Sequence, residues 1–124
     1  MTEVTDVLRG LYDFWNGFAI KAYPEFNVPD DAKLPYITYE LKQPNWRGEA
    51  PYFVRVWYED TSYLSISQKV KQIADAIGEG KRIAVMGGSI YLFKDDMFLQ
   101  WQPVEDDEEN LKIAYLSMII HVIA

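Results

Sequence analysis

Few residue types in this 124-residue chain can carry chemistry, and their spacing limits what each can do. His121 is the single histidine and cysteine is absent, so disulfides, thiolate metal sites and cysteine nucleophiles are excluded. A general base at His121 would need a nucleophile within reach. Its neighbours are instead Leu116, Met118, Ile120 and Val122 on one alternating row and Tyr115, Ser117, Ile119 and Ile123 on the other. That pattern reads as a partly buried structural histidine in a strand. "GGS" at 87–89 lacks the flanks of a nucleophile elbow and reads as a turn between strands. "GEGK" at 78–81 follows a helix, whereas a phosphate loop precedes one so that its amides face the phosphate. Glu105 to Glu109, with Asp106 and Asp107 among them, are consecutive carboxylates without the D-x-D-x-D-G spacing of a calcium loop. They read as a solvated hairpin tip, or as a negative patch that steers a basic partner. Asp30-Asp31, behind Pro29, reads as a solvated turn. No catalytic residue, cofactor site or metal site is expected.

The elements that would position these residues come from periodicity. Val4, Leu8, Leu11, Trp15 and Phe18 recur at helical spacing, with Thr2 or Thr5 as N-cap, although Gly10 and Gly17 each weaken a helix by roughly 1 kcal/mol. Residues 23–35, with Pro24, Pro29 and Pro35, form an ordered irregular connection. Strands are expected at 36–42 and 52–59. In the second, Tyr52, Val54, Val56 and Tyr58 alternate with Phe53, Arg55, Trp57 and Glu59, so both faces carry large apolar groups. The loop between them, "QPNWRGEAP", puts Trp46 and Arg47 near its tip. A helix follows, capped by Thr61 or Ser62, with Ile66, Val70, Ile73 and Ile77 on one face and Gly78 and Gly80 at its end. Strands are then expected at 82–86, 89–94, 97–102 and 111–123, with turns at Gly87-Gly88 and Asp95-Asp96. The order is α-β-β-α-β-β-β-β. This implies an α+β fold in one domain over 1–124, with two helices on one face of a mainly antiparallel sheet.

Net charge is 12 − 19 = −7, and no basic patch is present, so sequence-specific nucleic-acid binding is not expected. The start of the chain has no signal-peptide pattern and the longest apolar run is too short to span a membrane. A soluble protein of the cytoplasm where it is made is expected. The four Trp, nine Tyr and six Phe exceed what a core alone needs. Two helices cover one sheet face, so the apolar row on the other face implies contact with another subunit.

"GFAIKAYPEFNVPDDAKLPYITYEL" resembles the opening of the tail terminator (tail completion, or minor capsid-like) proteins of long-tailed bacteriophages and prophages. "VRVWYEDTSYLSISQKVKQIADAI" and "GGSIYLFKDDMFLQ" resemble the blocks that follow it, so the resemblance runs from about residue 11 to the end. It implies a non-enzymatic homo-oligomer, a ring of about six like subunits, with a monomer before assembly as the alternative state in solution. Such a ring caps the tail tube, stops its polymerisation and offers a surface for head joining. The implied partners are the tail tube protein and the head–tail connector protein, first in the host cytoplasm and then in the neck of the virion tail. Pro29, Asp30, Asp31, Trp46, Arg47, Glu105, Asp106 and Asp107 are the expected interface residues. The alternatives are another neck or head-completion component, a host dimeric adaptor, and a small enzyme or ligand-binding domain.

Overall fold

The computed structural model describes residues 4–41, 48–104 and 110–123. Helix α1 spans Val4–Trp15 and runs into a 3-10 turn at Asn16–Phe18. Strands β1 (Lys21–Pro24), β2 (Tyr36–Tyr39) and β3 (Glu49–Glu59) follow, then helix α2 (Leu64–Ile77) and strands β4 (Lys81–Val85), β5 (Gly88–Gln102) and β6 (Leu111–Ile123). The six strands form one sheet in the order β1-β2-β3-β6-β5-β4.

The fold is α+β as expected, but the element order is α-β-β-β-α-β-β-β and the sheet is mixed. β1 pairs parallel with β2, while the remaining pairs are antiparallel. β1 begins two residues before the stretch expected to be irregular and overlaps its first two residues; four residues ending in a proline are too short to show a strand period. The turn expected at Asp95-Asp96 is absent. β5 runs through those positions as one strand, because both of its halves pair with β6 and the chain therefore does not reverse. Between Lys94 and Leu99 it takes five steps (99 − 94) against two in β6 (118 − 116), and the surplus forms a bulge with exposed carboxylates. The β4–β5 turn is Met86-Gly87, one residue earlier than expected, with Gly87 at φ 79°.

Both helices pack on the same sheet face. Val7, Leu11 and Trp15 carry the buried stripe of α1, Phe18 of the 3-10 turn continues it, and Leu8 is only half-buried. Thr5 lies inside the helix and so is not its cap; Thr2 lies outside the described residues. α2 buries Ile66, Val70, Ile73 and Ile77 as its period requires. Its N-cap position is Tyr63, whose side chain makes no capping bond, in place of the expected Thr61 or Ser62. Ser62 Oγ still accepts the Leu64 N–H at 3.3 Å. Hydrogen bonds from the Ser65 hydroxyl and the Ser62 amide hold the Asp60 carboxyl below its ordinary range. At the other end Gly78 takes φ 55° and its N–H donates to the Ala74 carbonyl at 2.8 Å. Beneath the helices lie Ile37, Tyr39, Tyr52, Val54, Val56, Ile90, Leu92, Leu116, Met118, Ile120 and Val122, in one buried cluster with the helix residues. No helix among the described residues is long and apolar enough to cross a membrane.

Candidate interaction surface

The strand registers put a second set of residues on the opposite, helix-free face. Tyr36 stands opposite Trp57, Arg55 opposite Tyr115, Phe93 opposite Ile119 and Tyr91 opposite His121. None of these belongs to the buried cluster or packs against it. They pack on one another instead. Tyr23, Tyr36 and Trp57 form a chain of ring contacts at 5.8 and 5.9 Å, Phe53 stacks on Tyr115 at 5.2 Å, and Tyr91 stacks on Phe93 at 6.3 Å. Such pairs are worth about 0.5–1.5 kcal/mol each beyond their area, enough to hold the rings in place but not to bury them.

Arg55 sits at the centre of this face. Its Nε donates to Gln102 Oε1 at 2.8 Å, and its guanidinium lies 4.7 Å over the Tyr115 ring. Its terminal nitrogen approaches the Glu25 carboxylate at 3.8 Å, a Coulombic contact too long for a hydrogen bond. The side chain is thus fixed at its Nε end, and Arg55 lines an open groove. The groove has two lobes that share Arg55 and Gln102. One, about 520 Å³, is walled by Phe26, Val28, Tyr36 and Trp57; the other, about 420 Å³, by Gln100, Trp101, Pro103 and Tyr115.

Phe26 forms the rim. It is 91% exposed, yet its turn is ordered: the Glu25 N–H donates to the Tyr39 carbonyl at 3.0 Å and the Asn27 N–H to the Pro24 carbonyl at 2.9 Å. The Trp57 indole N–H donates to Thr38 Oγ1 at 2.9 Å, which fixes that ring in the row. A fixed aromatic surface with an arginine at its centre has the composition of a protein-binding site.

No group of three potential metal ligands occurs among the described residues. The His121 imidazole is half-buried on the helix-free face, with Nδ1 4.0 Å from Glu49 Oε1 on the neighbouring strand. This is the partly buried setting expected of it.

Of the residues expected from sequence to form the interface, Pro29, Asp30 and Asp31 lie exposed on the β1–β2 connection. Trp46, Arg47, Glu105, Asp106 and Asp107 lie outside the described residues, as does the whole acidic run. Arg55, Phe26 and Gln102 were not singled out by the sequence, although the two-sided row at 52–59 pointed to the face that holds Arg55.

No protein-family model matches the sequence, and no curated protein matches it. The fold is similar to that of a chain in the virion of a native gene transfer agent particle. The TM-score is 0.65 at 13% identity, covering 98% of this chain and 94% of that one.

Proposed function

We propose that this chain is a virion structural protein of a tailed particle, and that it acts as a tail terminator. Copies form a closed ring that seats on the growing end of the tail tube, halts polymerisation and presents the surface to which the head connector joins. The observation that carries this reading is the fold shared from end to end with a virion chain. The sequence blocks that resemble tail terminators supply the finer assignment. The helix-free face, with its ordered aromatic rings and central Arg55, supplies a surface suited to a neighbouring subunit. The contact residues expected from sequence, Pro29, Asp30 and Asp31 on the β1–β2 connection together with Trp46, Arg47, Glu105, Asp106 and Asp107, are the further candidates for contacts to neighbours and to the tube.

The action is steric and stoichiometric, without substrate turnover, cofactor or metal. Assembly takes place in the host cytoplasm and ends in the neck of the virion.

The test is tube length by electron microscopy. In particles lacking the protein, tails grow beyond their normal length and fail to join heads, and adding the purified chain caps preformed tubes. A His121→Gln variant caps as well as the parent. Tails of normal length in its absence remove the terminator role and leave another neck component.

A further inference from the structure

The two edges of the sheet are finished differently. On β1 the residues whose backbone groups turn away from β2 are Ala22 and Pro24. The Asn16 side chain takes both groups of Ala22: Oδ1 accepts its N–H at 2.9 Å and Nδ2 donates to its carbonyl at 3.3 Å. Pro24 has no N–H, and its carbonyl accepts the Asn27 N–H at 2.9 Å. This edge has little left to offer another strand.

The β4 edge is open. A two-residue turn makes Val85 and Gly88 a hydrogen-bonded pair, so the antiparallel alternation turns Lys81, Ile83 and Val85 toward β5 and Arg82 and Ala84 outward. Among the described residues, no hydrogen bond reaches the outward backbone groups of Arg82 and Ala84, and both residues are exposed.

We propose that this edge is a self-association site, and that its occupant is the β4 strand of a second copy, running antiparallel about a two-fold axis at Ile83. In that register Arg82 of each copy stands opposite Ala84 of the other, and each such pair exchanges both of its backbone hydrogen bonds. Ile83 meets Ile83, and Lys81 meets Val85. Within the strand pair no like charges stand directly opposite, whereas a register centred on Arg82 would set two guanidiniums against each other. The closed β1 edge is a poor donor, which leaves β4 as its own complement. An unpaired edge is also a template for uncontrolled strand addition, and a two-fold pair ends that growth at two copies. The pair is a state of the free chain; the ring proposed above is built through the helix-free face, so neither depends on the other.

The chain contains no cysteine, so a single Ile83→Cys substitution reports on the axis directly. The two residues at the axis form a non-hydrogen-bonded pair with Cα atoms about 4.5 Å apart, within disulfide reach. Mild oxidation of the purified full chain gives a disulfide-linked dimer on a non-reducing gel, faster than a control Ala76→Cys on the exposed side of α2. Adding Ala84→Pro removes an outward N–H that β5 does not use, and slows crosslinking by about ten-fold or more. Ala84→Lys opposes a second cation to Arg82 of the other copy and slows it as well, so the test survives if the proline variant fails to fold. Equal crosslinking at positions 83 and 76 would overturn the pairing. So would crosslinking through Ile83→Cys that neither Ala84 variant changes.

Discussion

Tyr39 shows how burial on the helix side changes a single group. It is 1% exposed, and burial, with Tyr12 adding to it, pushes its hydroxyl from the ordinary 10.0 up to about 12. The fold favours the protonated form, so its contribution to stability is complete below pH 10 and is lost as pH rises through about 12. Burial moves Tyr36, Tyr52 and Tyr58 in the same direction. The melting temperature followed by circular dichroism is therefore expected to hold from neutrality to about pH 10 and to fall above it. Tyr39→Phe makes that fall shallower; an unchanged slope would show that Tyr39 ionises in the fold as freely as in water. Arg55 marks the limit of reading at this scale. Its place in an alternating row was visible in sequence, but its hydrogen-bond partner Gln102 lies 47 positions away on a strand that is not its neighbour. No spacing rule connects the two.

Elements with a long, regular period were legible, and elements defined by what they pair with were not. α2, β3 and β6 carry enough turns or alternations to declare themselves, whereas β1 is four residues long and the β5 bulge is set by the register of β6. Gly10 is instructive because helix propensity alone counts it as a flaw in α1. A Cβ there would lie 2.6 Å from Val85 Cγ1 and 3.2 Å from Ile90 Cδ1, so the glycine lets the helix sit close to the β4–β5 hairpin. Gly10→Ala gains about 1 kcal/mol of propensity but overpacks the contact by about 1–3 kcal/mol, for an expected net loss of about 1 kcal/mol in urea unfolding. Gly17 has nothing within 4 Å of its Cβ position, and Gly17→Ala is expected to stabilise by about 0.5 kcal/mol. If Gly10→Ala stabilised as much as Gly17→Ala, the close helix–hairpin contact would be wrong.

At the scale of the whole molecule, one sheet separates two kinds of apolar surface that composition alone could not tell apart. β3 shows the division within consecutive residues. Tyr52 is fully buried under the helices, stacks near Trp15 at 6.5 Å and donates its hydroxyl to the Glu40 carbonyl at 2.8 Å. Phe53, one residue on, is half-buried on the helix-free face against Tyr115 and takes no part in the core cluster. Truncating Tyr52 to Ala opens a cavity, removes that hydrogen bond and is expected to cost about 3–5 kcal/mol. Phe53→Thr keeps a good strand former and removes a side chain that lies outside the core cluster, so its expected cost is smaller, about 1 kcal/mol. The order reverses when assembly is measured. If the helix-free face meets a neighbouring subunit, folded Phe53→Thr loses tube capping, because interface energy is concentrated in a few central aromatic and arginine anchors. Urea unfolding and capping assays on the two variants separate the cases. Equal destabilisation by both would make the second face an ordinary part of the core. A stable Phe53→Thr variant that capped normally would move the subunit contact to the β1–β2 connection.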